Sequence, residues 1–341
     1  MYPADLAAWH AWQRRQYPAR ALRHAVSRRR SEPEPLHLTL CGRSPRVLVA
    51  LEARTPTQIA ALVRPAEAVG GIAVLSPVPA ADILGGTTTT VRPGASVPEA
   101  LGSVRAVLGV GDYLPAGARA RAWADELRAA FVVVQHGLLT PHAPPLPRRA
   151  HLLAFTERDA RFWTLGRPDV TWDVVGSQLL WDAAAGNGTR KPVDPSARPV
   201  FLGQLHGAEL PRWGKIRRAT AFCRAEDAVY RPHPREEDKL SRLTHAAWER
   251  LGITVERNGG PLTEVTGPVV AAFSTGVLEA AARGLPAWVH YPDPPAWLEE
   301  FWDRYGLHAW GDDPTPAPPQ PTVEPAQAIA DRLTDLIEER P

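Results

Sequence analysis

Cysteine is scarce in this chain of 341 residues. Cys41 and Cys223 are its two cysteines, they lie far apart, and neither belongs to a CxxC pair or to a cluster with histidine. Disulfide frameworks and structural zinc sites both need several cysteines at short or repeated spacings. The sequence therefore argues against a disulfide-stabilised fold and against a structural zinc module.

Long apolar runs are also absent. No run reaches the ~18 residues that a membrane-spanning helix needs, and the first thirty residues hold no uninterrupted apolar stretch of a secretory signal. Those residues, MYPADLAAWHAWQRRQYPARALRHAVSRRR, combine helical spacing with an arginine-rich run. A solvated helix face and contact with an anionic membrane surface both fit this pattern. We expect a cytoplasmic protein, and peripheral contact with the inner face of the membrane stays open.

An excess of charge of either sign is missing too. The formal net charge is +2, with 22% charged and 44% hydrophobic residues. This balance is typical of a globular protein and gives no electrostatic reason to expect a nucleic-acid partner. The length suits two domains that each bury a core of their own.

Short apolar runs alternate with stretches of helical spacing from residue 46 onward. Six runs predict strands in the first half: RVLVAL (46–51), GIAVLSP (71–77), RAVLGVGDY (105–113), AFVVVQHG (130–137), HLLAFT (151–156) and TWDVVGS (171–177). Helices are predicted between them, at 55–70, 97–104, 118–130 and 157–166. Continuous apolar strands that alternate with amphipathic helices indicate a parallel sheet covered on both faces.

The alternation pauses at 182–199, which is rich in Gly, Pro, Asp and Ser and predicts a linker. It then restarts, with strands predicted at 199–204, 227–234, 253–258, 269–274 and 286–292 and helices at 209–224, 236–251, 275–283 and 295–305. We therefore predict an α/β protein with two Rossmann-like domains whose parallel sheets face a cleft. The predicted parts are a helical, basic segment (1–45), an N-terminal acceptor domain (46–185), a C-terminal nucleotide-donor domain (199–313) and a closing helix (322–341).

Candidate site residues fall at the ends of predicted strands. His136 ends AFVVVQHG, His233 ends DAVYRPHP, and Ser274 and Thr275 stand between VVAAFS and a helix. In parallel sheets these ends meet at one edge, where ligands bind. Backbone N–H groups, a helix dipole and two hydroxyls then converge into an anion site. The alternative is that Ser274 or Thr275 only caps the helix.

His233 lies between two prolines that fix the backbone and so preorganise the imidazole. A histidine at this place can donate to a phosphate oxygen, and Arg231 and Arg235 add positive charge. The alternative is a structural histidine, but the Ser-Thr turn in the same half favours the phosphate role. Glu279, one turn into the helix, either caps locally or reaches the ribose hydroxyls of a nucleotide.

The elements PHP (232–234) and STGVLEAAARGLP (274–286) resemble the paired HP and S/T motifs of nucleotide-dependent GT-B transferases. These include bacterial sialyl-, polysialyl- and Kdo-type transferases and the CDP-glycerol glycerophosphotransferases of capsule and teichoic acid synthesis. QHG (135–137) is similar to the QHG or WHG element of the glycerophosphotransferases. The resemblance spans residues 130–292 and implies a GT-B fold.

The resemblance implies a role for each matching residue. His233 and the turn Ser274–Thr275–Gly276 would hold the phosphate of a CMP- or CDP-linked donor, a nucleotide sugar or a CDP-alcohol. His136 would be the general base toward a glycan or polymer acceptor. The chain lacks the acidic base element of polysialyltransferases, so Asp112, at the end of another predicted strand, is the acidic alternative.

No DxD element follows a predicted strand, which favours a site without a metal or a further cofactor. Two other functions stay open at this point. A UDP-sugar 2-epimerase of the same fold also carries a histidine and a Ser-Gly turn, although RVLVALEART (46–55) only faintly resembles the start of such enzymes. A catalytically inactive GT-B scaffold at the membrane is the non-enzymatic alternative.

Overall fold

The computed structural model describes residues 5–16, 35–186, 192–257 and 259–339. The chain divides into two compact units, and each is discontinuous in sequence. Unit 1 comprises Met1–Gly137, Ala143–Leu179 and Pro321–Pro341, and unit 2 comprises Leu138–His142 and Leu180–Gln320.

Unit 1 is built on an eight-stranded sheet. Its strands are β1 (His37–Cys41), β2 (Val47–Ala50), β3 (Ile72–Ser76), β4 (Thr88–Val91), β5 (Ala106–Gly109), β6 (Ala130–Val134), β7 (His151–Ala154) and β8 (Thr171–Val174). The strand order is β4-β1-β3-β2-β5-β6-β7-β8. Strands β3, β2, β5, β6, β7 and β8 are parallel, whereas β1 pairs antiparallel with β3 and β4.

The central strands of unit 1 are apolar because they are buried on both faces. Every residue of β2, β5, β6 and β7 is buried, whereas the edge strand β8 is partly or fully exposed throughout. A parallel sheet covered by helices on both sides requires this continuous apolar pattern. All these parallel strands end at the same edge, which carries His136 and Asp112.

The helices of unit 1 complete its core. They are α1 (Leu6–Gln16), α2 (Pro56–Gln58), α3 (Arg64–Val69), α4 (Pro115–Leu127), α5 (Glu157–Trp163), the first residues of α6 (Gln178–Ala185) and α11 (Pro325–Glu338). A π-helical turn, Ile59–Val63, joins α2 to α3. Helix α11 brings Ile329 and Leu333 into the same apolar cluster as β2, β5 and β6, so the end of the chain is part of this unit.

Unit 2 has a four-stranded parallel sheet in the order β10-β9-β11-β12. The strands are β9 (Val200–Leu202), β10 (Val229–Arg231), β11 (Val269–Ala271) and β12 (Ala287–Val289). The helices are α7 (Arg212–Ala225), α8 (Lys239–Arg250), α9 (Thr275–Ala282) and α10 (Ala296–Tyr305). Because all four strands run in the same direction, the loops that follow β9, β10 and β11 share one edge.

The predicted fold class, α/β with two Rossmann-like domains, is confirmed, with corrections to individual elements. Strands β1 and β4 were not predicted, and β1 lies inside the segment 1–45 that was expected to be helical and basic. The run 253–258 was predicted as a strand; in its described residues, 253–257, the structure has an isolated bridge between Tyr230 and Val255 in place of a full strand. The expected helix at 97–104 is a single 3-10 turn, Glu99–Leu101.

The basic segment is described only in part. Residues 6–16 form α1, as the spacing predicted, whereas the arginine-rich run within 17–34 lies outside the described residues. In the part of the chain that the structure describes, no helix is both long and apolar enough to cross a bilayer.

Candidate functional site

The strand ends of unit 2 are tied together by two side chains. Gln204, after β9, accepts a hydrogen bond at Oε1 from the backbone N–H of Phe273, after β11, at 3.1 Å. Glu236, after β10, accepts at Oε1 from the backbone N–H of Leu205 at 2.8 Å. The loops that follow three adjacent strands therefore form one connected edge, as the parallel topology requires.

His233 lies on this edge, directly after β10, with a defined arrangement of its ring nitrogens. The backbone N–H of Arg235 donates to Nδ1 of His233 at 3.0 Å. Desolvation lowers the pKa of His233 below its ordinary value, although the residue keeps a solvent-exposed edge. Because Nδ1 accepts a hydrogen bond, the neutral ring carries its proton on Nε2 and is a hydrogen-bond donor there.

A second imidazole, not predicted as a site residue, lies against His233. The rings of His206 and His233 are stacked, with centroids 3.9 Å apart and 25° between their planes. His206 follows β9 in the sequence GQLHG, and β9 pairs with β10. The sequence signal was present, since His206 is a further histidine just beyond a predicted strand.

The Ser-Thr-Gly turn at the start of α9 is a helix cap. Ser274 Oγ accepts from the N–H of Gly276 at 3.1 Å, and Thr275 Oγ1 accepts from the N–H of Leu138 at 3.2 Å. Both hydroxyls act as acceptors in these bonds and keep a proton to donate. A Cβ atom on Gly276 would lie 2.6 Å from a methyl group of Leu202, so the absent side chain lets α9 approach β9 closely.

Glu279 has a carboxyl group whose pKa is raised toward neutral pH, and the charges of two arginines act on it. Desolvation raises the pKa of Glu279 to about 7, an effect that Arg283 and Arg231 only partly offset. Arg283 donates to the backbone carbonyls of Leu262, Thr263 and Val265. A carboxyl group that titrates near neutral pH is able both to donate and to accept hydrogen bonds, which suits a partner with hydroxyl groups.

Lys215 holds the loop that carries His206. It is a buried residue of α7, and its Nζ donates to the backbone carbonyls of Gln204, at 2.7 Å, and of Gly207. Burial lowers the pKa of Lys215 to about 8. The sequence did not single out this lysine, because nothing in its helix distinguishes it from a surface residue.

His136 belongs to unit 1 and follows β6. With Gln135, Phe155 and Ser177 it lines a pocket at the ends of β6, β7 and β8. The side chain of Gln135 is buried and accepts from the N–H of Phe155 at 2.9 Å while donating to the carbonyl of Gly137 at 3.0 Å. The side chain of Gln135 therefore holds the carbonyl of Gly137, just after His136, and joins it to the residue that follows β7.

Asp112 also belongs to unit 1 and follows β5, the neighbour of β6. Its Oδ1 atom is buried and has no hydrogen-bond partner among the described residues. Desolvation raises the pKa of Asp112, and the positive charges of Arg121 and Arg167 oppose this effect. A carboxylate with a buried, unsatisfied oxygen is a stronger base than an exposed one, so this residue has the chemistry of a proton acceptor.

Glu52, after β2, was not predicted as a functional side chain. Its Oε1 accepts from the N–H of Gly117 at 2.6 Å, and its Oε2 accepts from the N–H of Ala116 at 3.3 Å. Desolvation raises the pKa of Glu52, and the two backbone bonds oppose it. The carboxylate therefore caps α4 and fixes the loop that contains Asp112.

The structure thus places the candidate residues in two groups. Unit 2 contains Arg231, His233, the turn 274–276 and Glu279 on the edge formed by β10, β9 and β11, whereas unit 1 contains His136 and Asp112. Among the described residues, no group of three or more His, Cys, Asp or Glu side chains is arranged to hold a metal ion.

Two solved structures are similar to this chain at low sequence identity. One is a glycosyltransferase from Rickettsia africae ESF-5, with 10% identity and a TM-score of 0.44 over 87% of this chain and 94% of that one. The other is a UDP-GlcNAc 2-epimerase from Methanocaldococcus jannaschii, with 13% identity and a TM-score of 0.37 over 68% and 77% of the two chains. No protein-family model and no curated protein matches the chain. At these scores neither likeness assigns an activity to this chain.

Proposed function

We propose that this protein is a metal-independent transferase that moves a sugar or a glycerophosphate group from a cytidine-nucleotide donor to a glycan or polymer acceptor. The proposed setting is the synthesis of a cell-surface polysaccharide or a teichoic-acid-like polymer. One observation carries the proposal: one edge of the unit 2 sheet carries an N–H-donating imidazole, an arginine and a hydroxyl-bearing helix start, after β10 and β11. This is the chemistry that a nucleotide phosphate requires.

The leaving nucleotide gains negative charge on its phosphate as the bond to the transferred group breaks. In our proposal, His233 donates its Nε2–H to a phosphate oxygen, and Ser274 and Thr275 donate their hydroxyl protons. Arg231 supplies positive charge from a mostly buried side chain, 13% exposed. Fixed donors that face the developing charge stabilise the transition state more than water does, because they need no reorganisation.

Glu279 is proposed to bind the ribose of the donor. With a pKa raised to about 7, its carboxyl group offers a donor and an acceptor to neighbouring hydroxyls near neutral pH. The position one turn into α9 places it on the helix that starts at the phosphate-binding turn.

The acceptor hydroxyl must lose a proton as it attacks the donor. We propose His136 as the base, because a neutral imidazole accepts a proton near pH 7. Asp112 is the alternative base, favoured by its unsatisfied oxygen. The two candidates differ in a testable way, since replacing the true base lowers the transfer rate by about 10²- to 10⁴-fold while donor binding is kept.

The test is a transfer assay that follows nucleotide release by phosphorus NMR. The wild-type protein and the His136→Ala, Asp112→Asn and His10→Ala variants are incubated with CMP-sugars, CDP-glycerol or UDP-GlcNAc, with and without short glycan acceptors. His10 is an exposed histidine of α1 and serves as the control. We expect acceptor-dependent release of CMP, either from a CMP-sugar or from CDP-glycerol as its glycerophosphate group is transferred. This release should be lost in one base variant and unchanged in the control.

Two results would contradict the proposal. Conversion of UDP-GlcNAc without any acceptor would show a sugar-nucleotide epimerase instead. Failure of all donors to be consumed or bound would support a scaffold without catalytic activity.

A further inference from the structure

We infer that His206 is a second phosphate-binding side chain of the donor site and that Glu236 is the positioning residue that sets His206 and His233 side by side. The inference rests on the proposed function, since it names a further ligand for the same donor phosphate. The starting observation is the stack of the two imidazoles, whose ring centroids are 3.9 Å apart.

The stack places two possible hydrogen-bond donors beside each other. The neutral ring of His233 carries its proton on Nε2 and can donate it to a phosphate oxygen, and a phosphate in contact with both rings would also compensate for a positive charge on either one. A centroid separation of 3.9 Å is comparable to the span of one phosphate or of two linked phosphates, so in our inference both rings bind oxygens of the same ligand. The pair is poorly suited to zinc, which needs three or four protein ligands, because no third metal-ligating side chain joins it among the described residues.

Glu236 links the two histidine-bearing loops from inside the protein. Its side chain is fully buried, and its oxygens lie within hydrogen-bond distance of the N–H of Leu205, the hydroxyl of Tyr230 and Nε2 of His245, at 2.8, 3.0 and 3.0 Å. Its own N–H donates to the carbonyl of His233 at 2.8 Å. A single residue therefore fixes the backbone beside His206 and the backbone of His233.

The loop of His206 is also held from its other side. Lys215 donates to the carbonyls of Gln204 and Gly207, which flank His206 in the chain. Burying a carboxyl group and an ammonium group costs free energy, and a plain surface turn has no need of either. These two buried groups fix the backbone of the short loop that carries His206. Binding sites require side chains held in place in this way, which supports a binding role for His206.

The decisive probe is inorganic pyrophosphate, because it carries the phosphate chemistry without the base, the ribose or the transferred group. Pyrophosphate and CDP are titrated by calorimetry into the full-length wild-type protein and its His206→Ala, His206→Gln, His233→Ala and His10→Ala variants. Circular dichroism checks that each variant is folded. We expect both His206 variants and His233→Ala to bind both ligands roughly tenfold to hundredfold more weakly, with His10→Ala unchanged.

Nitrogen-15 NMR of the histidine side chains gives a second readout. On addition of pyrophosphate to the wild-type protein, the ring signals of both His206 and His233 should shift, and that of His10 should not. In Glu236→Gln, we expect weaker pyrophosphate binding together with loss of the His233 tautomer that leaves Nδ1 unprotonated. A purely structural role of Glu236 would lower stability and leave the tautomer and the affinity of the folded protein unchanged.

The outcomes separate this inference from the proposed function. If CDP binds wild type and the His206 variants equally, His206 is only a packing partner and the inference is wrong, while the nucleotide site stands. If no nucleotide binds but pyrophosphate shifts both imidazoles, the paired anion site stands and the cytidine-donor proposal is wrong. If pyrophosphate leaves both ring signals unmoved, the paired site is refuted.

Discussion

At the scale of single residues, the candidate donor site depends on groups whose protonation the fold controls. Desolvation lowers the pKa of His233 and favours the neutral ring, whose proton lies on Nε2 because a backbone N–H donates to Nδ1. Desolvation raises the pKa of Glu279 to about 7, so its carboxyl group titrates near neutral pH. Under the proposed function, these two side chains would be hydrogen-bond donors to the phosphate and the ribose of the donor.

Glu279 makes the stability of the protein depend on pH. The unfolded side chain titrates near 4.5 and the folded one near 7, so between these values the folded protein binds more protons than the unfolded chain. Its contribution to the unfolding free energy therefore falls as pH rises through this window. We expect Glu279→Gln to gain about 1–3 kcal/mol relative to wild type between pH 4.5 and pH 7.5.

Urea unfolding at several pH values measures this difference, with Glu299→Gln, an exposed change on α10, as the matched control. A Glu279→Gln gain that stays constant across the window would show that the buried carboxyl group does not titrate there.

Gly117 is needed for close contact between the start of α4 and the loop that carries Asp112. A Cβ atom at this position would lie 2.0 Å from the carbonyl oxygen of Gly111, a backbone atom that has no rotamer to change. We expect Gly117→Ala to lower the unfolding free energy by about 2–4 kcal/mol. Gly94→Ala is the control, since nothing lies within 4 Å of its added Cβ, and chemical denaturation compares the two.

Equal stability of these two glycine variants would mean that the helix start shifts at little cost, and that Asp112 is less firmly positioned than the structure indicates.

The sequence predicted which side chains lie at strand ends, whereas the roles of these side chains stay predictions. His233 and the turn 274–276 were expected on one edge because the strand ends of a parallel sheet meet there, and the structure has them after β10 and β11. His206 also lies just beyond a predicted strand, but it was not singled out, because its stack on His233 depends on the pairing of β9 with β10. The role of Glu52 also appears only once α4 is packed on β2.

At the scale of secondary-structure elements, the apolar content of a segment determined whether the sequence predicted it correctly. Buried strands such as AFVVV gave a continuous apolar signal, and the long amphipathic helices were found within a few residues of their bounds. Strand β4, TTTV, was missed because it is an edge strand of mostly exposed threonines, which resemble a loop in the sequence. Strand β1, HLTLC, was missed because it is short and was assigned to the basic N-terminal segment. Their pairing is a tertiary effect that no local pattern contains.

Helix α11 is the element whose role differs most from its appearance in the sequence. It follows a proline-rich stretch and was predicted as a separate closing helix, yet Leu333 is fully buried in the core of unit 1. We expect Leu333→Ala to lower the unfolding free energy by about 2–5 kcal/mol through lost burial and a cavity. The exposed change Gln327→Ala on the same helix should stay within about 0.5 kcal/mol.

Calorimetric unfolding distinguishes the two variants. A Leu333→Ala protein as stable as Gln327→Ala would contradict the assignment of α11 to the core of unit 1.

At the scale of the whole molecule, the sequence predicted two α/β halves but not how the chain is divided between them. The predicted linker begins within α6, whose residues fall on both sides of the division between Leu179 and Leu180. The segment Leu138–His142 belongs to unit 2 although it comes directly after Gly137, which belongs to unit 1 with β6 and His136. Such exchanges depend on packing between distant segments, which local composition does not report.

Nucleotide binding is the property of the whole protein that decides between a cytidine-dependent transferase and its alternatives. CMP, CDP, UDP and GDP are titrated by calorimetry into the wild-type protein and into His233→Ala. We predict selective binding of CMP or CDP that weakens about tenfold to hundredfold in the variant. Three results would contradict this prediction: equal affinity for cytosine, uracil and guanine nucleotides, tighter binding of UDP than of CDP, or wild-type affinity in His233→Ala.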